Sequence, residues 1–456
     1  MSKSLSKAKK YSRRNRSFSA APPAQFLSAK QLSLFGDSGN HPRIISRPEH
    51  CISRKDIDRE ALKVLYRLKD NGYIAYLVGG SVRDLLLGRR PKDFDVGTNA
   101  RPEDLKRLFR HSRIIGRRFR LVHVYSPSGK IIEVSTFRCR SDHDNGEYAS
   151  EGVSHIHGFG SPQEDAFRRD LTINGLFYNI ADFSIIDYVG GMADLEQGIV
   201  RFIGNDPEHK CLKDPVRMMR AVRHAARTGF TIENNTWQSM LRHSDRIRLC
   251  AISRVRDEWL KDLHSGYSRP WAELMLRCGL FTSVFSGYAS AFESKDDWLV
   301  RKLLFGLLGH LDHMVNDCIE ISEAFMLALL AYPGLCVTPA WKALKVDRLK
   351  WPTQEVKSLL GMIFTPHDFR RCARDAAAQI LASQWNISIC LAKGNWPKRV
   401  WNKATFRESI TFYDLVQEVL GQPIVGPDPH LRLGSKPLKK SGRRNRRPYI
   451  TSRSIS

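Results

Sequence analysis

No acidic residue precedes Asp37 and none follows Ser435. With no sustained hydrophobic period either, both ends are excluded from a packed core and read as basic arms, residues 1–50 and 426–456. Nine cysteines stand singly, with no Cys-x-x-Cys pair and an odd total. That excludes a disulfide framework and a structural zinc site, and fits reduced thiols in a cytosolic setting. No uninterrupted apolar run approaches the ~18 residues of a membrane-spanning helix, so no membrane partner is expected. What the chain has in excess is positive charge, 73 Lys and Arg against 47 Asp and Glu, a formal net charge of +26. Such a field attracts polyanions, of which nucleic acid is the commonest. At 456 residues the chain exceeds what one hydrophobic core supports, so two or more folded units are expected.

Order is predicted to begin at "SRKDIDREALKVLYRLKDNG". Ser53 can cap a helix there, with Asp56 in its first turn, Ile57, Ala61, Leu65 and Leu68 along one face and Gly72 ending it. "YIAYLVGG" reads as a strand entering a glycine turn, "SVRDLLLG" as a short helix, and "RPEDLKRLFR" as a helix with Pro102 in its first turn. "RLVHVYSPSGKIIEVSTF" alternates and turns at Pro127 to Gly129, so it reads as a hairpin whose second strand carries Glu133. Beyond residue 205 helical periods dominate. The fold class is therefore α+β, a mixed β-sheet head with helices followed by an all-helical neck and body.

"PKDFDVG" follows the strand, glycine turn and helix, and its β-type alternation sends Asp93 and Asp95 to one face while Phe94 enters the core. Two carboxylates so close repel each other unless a divalent cation sits between them. Three further elements agree. Gly79, Gly80 and Ser81 lie between strand and helix, where backbone N–H groups are free to hold a triphosphate. Glu133 is an acid in the apolar, β-branched run "IIEVSTF", where a charge is costly without a partner such as the same metal. "RRDLTIN" and "DPVRMMRAVR" cluster arginines on expected helices, and guanidinium groups pair bidentately with phosphate oxygens. Together these describe nucleotidyl transfer supported by two metal ions.

"GGSVRD" with "DFDV" resembles the nucleotidyltransferase superfamily. With "RRDLTIN" and "DPVRMMRAVR" the chain resembles the class II tRNA nucleotidyltransferase and bacterial poly(A) polymerase family over about residues 45 to 290, more loosely beyond. "IIGRRFRLVHV" and the arginine-rich end are similar to the polymerase branch rather than the CCA-adding branch. The resemblance implies a catalytic head at 51–204, a neck with a nucleobase-reading helix at 205–265, and an RNA-binding body at 266–425. It implies Asp93, Asp95 and Glu133 as catalytic carboxylates and Mg²⁺ ligands. Gly79, Gly80, Ser81 and Arg83 would hold the triphosphate. Arg168, Arg169 and Asp170, with Asn174 beside them, would contact phosphates and ribose. Asp214 and Arg217 would select the base, with Arg220 near the phosphates.

The implied partners are ATP and RNA 3′ ends, with Mg²⁺ as cofactor, in a bacterial cytoplasm. The two alternatives are a CCA-adding enzyme and a non-catalytic RNA-binding protein on the same fold. Two positions depart from the family pattern. Lys213 stands where an acid would orient Arg217, and Gly175 follows "TIN" at an expected cost in helix propensity. "SDHDNGEYASEGVSHIHG", with His143, His155 and His157, reads as a surface loop rather than a metal site. The N-terminal arm also has the composition of an organelle transit peptide, which leaves organelle targeting open. Its "QLSLF" is similar to a peptide that docks on the DNA sliding clamp, and both basic arms are candidate points of recruitment for protein partners.

Overall fold

The computed structural model describes residues 41–116, 120–139, 158–344, 353–394, 396 and 402–424. The "QLSLF" segment, the C-terminal arm, Arg117 to Phe119 of the polymerase-like stretch, and the loop bearing His143, His155 and His157 lie outside the described residues. The chain divides into two units, Met1–Cys250 and Ala251–Ser456. The division falls earlier than the expected end of the neck at 265, so the helix Ile252–Leu263 goes with the second unit.

In the first unit the elements run β1 (Arg43–Ile45), α1 (Arg59–Asp70), β2 (Ala75–Val78), α2 (Gly80–Leu86), β3 (Asp95–Thr98), α3 (Pro102–Leu108), β4 (Ser112–Ile115), β5 (Leu121–Tyr125) and β6 (Ile131–Thr136). There follow α4 (Pro162–Arg168), β7 (Leu176–Asn179), β8 (Ile185–Asp187), α5 (Gly191–Gln197), α6 (Pro207–Lys213), α7 (Val216–Thr228) and α8 (Asn234–His243). Eight strands form one mixed sheet in the order β1-β8-β7-β2-β3-β6-β5-β4. β3 and β6 pair in parallel, and every other pair in that sheet is antiparallel.

Two expectations are corrected at the start of the unit. β1 pairs with β8 inside the stretch read as an arm, so ordered structure reaches back at least to Arg43. Asp58, not Ser53, caps α1 by accepting from the Glu60 N–H, because Ser53 is taken by a separate short turn, Arg54–Asp56. The helix ends as expected, with Gly72 at φ +81°, a conformation open to glycine.

The pleat sorts the strand residues. Ala75, Leu77, Val96, Val134 and Tyr178 face α1 and its Ala61, Leu65 and Leu68, and each large apolar side chain buried there contributes about 1.5–3 kcal/mol. On the other face a smaller cluster holds Val78, Phe137, Ala166, Phe177 and Ile186. Asp95 and Glu133 alternate with Val96 and Val134, so they emerge on this second face.

The second unit is helical throughout its described residues. Trp259 is fully buried and stacks on Phe364 at 6.1 Å, with Phe285 and Phe369 set edge-on to it. The long helices Asp297–Asn316, Glu323–Leu335 and Arg371–Lys393 supply its apolar core, including Leu304, Leu307, Leu329 and Ile380. Among the described residues no helix is long and apolar enough to cross a membrane.

Candidate active site

β2 ends at Val78, which sits directly across from Asp95 on β3, and Asp95 in turn sits across from Glu133 on β6. The chain leaves β2 through Gly79, whose φ of +73° favours glycine, and enters α2 at Gly80. A Cβ at Gly79 would lie 2.9 Å from an Arg169 guanidinium nitrogen. The glycine therefore serves both a backbone turn and the close approach of a cation.

Asp95 is half-buried, and its carboxyl is pushed up to about 6. Burial is the main cause, the Glu133 carboxylate the next, with Arg169 opposing and Asp93 adding a smaller push. This is the electrostatic setting that a divalent cation would relieve. Asp93 lies before β3 rather than within it and is exposed, while Phe94 between the two acids packs on the core as expected. Glu133 has His123 of β5 beside it, Nε2 to carboxylate 3.8 Å.

Among the described residues no three His, Cys, Asp or Glu side chains are drawn together into a ready metal cage. That fits Mg²⁺ no less well, because this ion usually takes one or two carboxylates plus substrate phosphates and keeps several waters. Asp95 and Glu133 supply two carboxylates on neighbouring strands, with Asp93 exposed just before β3.

The "RRD" element does not lie on a helix as expected. α4 ends at Arg168, and Arg169 takes an extended conformation at its C-terminus. Arg169 is held by Asp165, Nε at 3.2 Å and Nη2 at 3.0 Å, and lies over the Phe177 ring at 5.3 Å, beside the glycine turn. Arg168 is directed elsewhere and donates to the Cys139 carbonyl at 3.2 Å. Asp170 gathers two arginines of α7, Arg217 at 3.0 Å and Arg220 at 2.6 Å. Asp214 stands 3.8 Å from Arg217.

Two residues expected to touch phosphate are occupied differently. Ser81 is buried and its hydroxyl donates to the Val78 carbonyl at 2.9 Å. The Arg83 side chain is 2% exposed, binds Asp84 through Nε at 2.9 Å and Nη2 at 2.6 Å, and reaches Asn174 Oδ1 at 2.7 Å and His224 Nδ1 at 2.9 Å. His224 on α7 also meets Asn174 Nδ2 at 3.1 Å. Arg83 and Asn174 thus form a buried brace behind the glycine turn. His224, which joins the brace to α7, was not singled out from sequence; its signal is one polar residue among the buried Ala221, Val222, Ala225 and Ala226. Burial and the surrounding Arg83, Arg223, Arg227 and Arg220 push the imidazole well below its ordinary range, so it is neutral at pH 7. Asp165 was also missed, though its spacing four residues before Arg169, just past the helix end, signals a pair.

A mixed sheet with a positive-φ glycine turn beside facing carboxylates, followed by helices, defines a nucleotidyltransferase head. Residues 75–201 match the family described as "Poly A polymerase head domain", and residues 229–292 match "Probable RNA and SrmB- binding site of polymerase A". Poly(A) polymerase I of Escherichia coli O157:H7 is 43% identical over 302 residues, 65% of this chain and 64% of that protein. A CCA-adding enzyme of Bacillus velezensis is 31% identical over 306 residues, 67% of this chain and 71% of that one. The solved CCA-adding enzyme of Bacillus stearothermophilus in complex with CTP aligns with a TM-score of 0.52 at 26% identity, covering 80% of this chain and 78% of that one. The chain belongs to the tRNA nucleotidyltransferase and poly(A) polymerase family. It spans 64% of the length of the poly(A) polymerase I relatives it matches.

Proposed function

We propose that this chain is a template-independent polynucleotide adenylyltransferase, adding AMP from ATP to RNA 3′ ends in a bacterial cytoplasm. The observation that carries the reading is Asp95 facing Glu133 at the mouth of the Gly79 turn with Arg169 alongside. The 43% identity to a poly(A) polymerase I against 31% to a CCA-adding enzyme favours adenylyl transfer over CCA addition.

In this reading the RNA 3′-hydroxyl oxygen attacks the α-phosphorus of ATP in line, a P–O bond forms, the bond to the β-phosphate oxygen breaks, and pyrophosphate leaves. Asp93, Asp95 and Glu133 would hold Mg²⁺, which when bound supplies the positive charge that offsets the developing charge on the transferring phosphoryl group. The protein's own part is position and charge. Gly79 and Gly80 let the backbone approach the triphosphate. Arg169, fixed by Asp165, offers its remaining N–H groups to phosphate oxygens. Arg168, turned to the Cys139 carbonyl, and Asp170, which holds Arg217 and Arg220, flank Arg169 in the chain. Arg217, held between Asp170 and Asp214, presents a fixed guanidinium edge to the incoming base, and Arg220 shares Asp170 with it. Arg83 and Asn174 act by position, bracing the turn from behind.

An extension assay tests this with purified protein and Mg²⁺, offering an unstructured RNA and a tRNA lacking its CCA end, each with ATP alone or CTP alone. Long ladders on both RNAs with ATP are expected. Addition confined to the tRNA, with CTP required first, would assign the chain to the CCA-adding branch instead.

A further inference from the structure

On the face of the sheet opposite Asp95 and Glu133 lies a cavity of about 610 Å³ between α1, the start of the unit and the β7–β8 turn. Its cations are Arg47, Arg54, Lys55 and Arg59, and no carboxylate lines it. Its aromatic surface is Tyr66, Tyr178 and Phe183. Separation from the catalytic face follows from the pleat, because Tyr178 belongs to the α1-side core while its neighbour Phe177 lies under Arg169.

Basic residues on a surface are ordinarily solvated and mobile. Here Arg54 and Arg47 are held in place. The Arg54 guanidinium donates to the Tyr66 hydroxyl at 3.0 Å and lies 4.8 Å from the centre of the Phe183 ring. Arg47 donates to the His50 carbonyl at 2.9 Å, and His50 Nε2 meets the Phe183 carbonyl at 2.8 Å, which ties the Arg47 segment to the turn. Burial pushes the His50 imidazole below its ordinary range, so this tie is made by a neutral ring donating from Nε2 while Nδ1 accepts from the Ile52 N–H. Phe183 itself sits at φ +63°, a region that a bulky side chain adopts at a cost. Of the nearby acids, Glu49 is engaged with Ser46, Asp58 with Lys130, Glu60 with Lys63 and Asp182 with Ser184, while Asp56 is exposed and does not line the cavity.

Guanidinium and ammonium groups around an aromatic wall match one chemistry, a phosphate joined to a flat base. The volume lies within the range of small-ligand sites and accommodates one nucleotide. We infer that this cavity is a second nucleotide-binding site that holds one nucleotide unit of single-stranded RNA, apart from the site where ATP reacts. Phosphate pairs with Arg47, Lys55 or Arg59, and the base stacks against the aromatic wall beside Arg54. RNA is the source the site favours over free nucleotide, since its four cations are exposed and come from three successive segments, Arg47, Arg54 with Lys55, and Arg59, that a backbone could follow. The inference goes beyond the catalytic reading and does not depend on it.

The test is binding of a fluorescein-labelled 20-residue oligoadenylate to the full chain, followed by anisotropy over a range of salt without Mg²⁺ or ATP. The Arg47→Ala/Arg54→Ala protein is expected to bind roughly ten-fold more weakly, and its slope of log Kd against log salt should be shallower by about 0.7, the effect of one lost single-strand phosphate contact. Phe183→Gly relieves the positive φ and removes the ring without touching charge, so it should weaken binding about five-fold with no change of slope. Arg107→Ala/Arg301→Ala removes the same charge from cations already paired with Asp104 and Asp297, and should stay within two-fold of the parent. The KM for ATP in extension should be unchanged in all three. Oligoadenylate affinity within two-fold of the parent in both cavity variants would overturn the site. A raised KM for ATP with unchanged RNA affinity would overturn the RNA assignment in favour of free nucleotide, and an equal loss in the control pair would reduce the effect to net charge. The binding outcomes are readable even in a chain that adds no AMP, so failure of the catalytic reading is a separate result.

Discussion

Two neighbouring regions of the head handle charge in opposite ways. At the mouth of the glycine turn Asp95 and Glu133 lie side by side on neighbouring strands, Arg169 offsets the burial and repulsion only in part, and the Asp95 carboxyl rises to about 6. Behind the turn Arg83 is buried deeper still, yet its N–H groups go to Asp84, Asn174 and His224. A pair compensated only in part costs stability and is retained where something else must bind, whereas a fully compensated one holds shape. The difference separates residues that would meet substrate from residues that place them, although both sets carry the same residue types.

The largest expected effects make that separation sharp. Asp95→Asn should lower extension by about 10³-fold while leaving RNA affinity unchanged. Its effect on stability should run the other way. A carboxyl raised from 3.8 to about 6 favours the folded state only at low pH, and that advantage is lost as pH rises through the window between those values. At pH 7 without Mg²⁺ the amide should therefore melt no lower than the acid. Arg83→Met should do the reverse, leaving the buried Asp84 with only Arg227 at 3.6 Å, at a cost of about 3 kcal/mol, or on the order of 10 °C in melting temperature. Thermal melts beside extension rates check both. A melting loss in Asp95→Asn equal to that in Arg83→Met would erase the distinction.

What was legible in the sequence follows the same line. Asp95, Glu133 and the glycine turn could be read because each breaks a local rule, an acid in an apolar strand or adjacent glycines where a strand ends. The brace could not, because Arg83 meets partners 91 and 141 positions away and only the folded sheet brings them together. Arg83 was assigned to phosphate since an arginine beside a glycine turn looks the same whether it points out or in. Gly175 shows the limit for backbone. Propensity suggests a small helix cost, but the residue follows a short turn, Thr172–Asn174, and a Cβ there would lie 2.5 Å from the Val189 side chain. The start of α1 slipped because Ser53 and Asp58 are both good caps, and a short turn uses the first.

A smaller effect tests the brace through pH. His224 is held neutral in the folded chain, with its pKa well below 6.5, while the unfolded chain takes up a proton near that value. Stability from this group is therefore present above pH 6.5 and lost as pH falls beneath it, by at most about 1.4 kcal/mol per pH unit. His224→Gln keeps an amide facing Arg83 and Asn174 but cannot titrate. Melts from pH 7.5 to 5.5 should show the parent falling more steeply than the variant. Parallel curves would mean that His224 takes no part in the balance.

The smallest expected effect concerns nucleotide choice. Lys213 occupies a position where an acid would steer Arg217, and its charge is disfavoured by burial and by Arg217 itself. Yet Arg217 already has an acid at 3.0 Å in Asp170 and a second, Asp214, at 3.8 Å. Orientation can come from these, leaving an exposed residue 213 to act only through a screened charge worth under about 1 kcal/mol. Lys213→Glu should thus change the ratio of kcat/KM for ATP over CTP by less than about three-fold. Asp170→Asn, which removes the nearer anchor from both Arg217 and Arg220, should change it more. If Lys213→Glu shifted the ratio ten-fold and Asp170→Asn did not, the steering of Arg217 would belong to the end of α6 and not to the turn after α4.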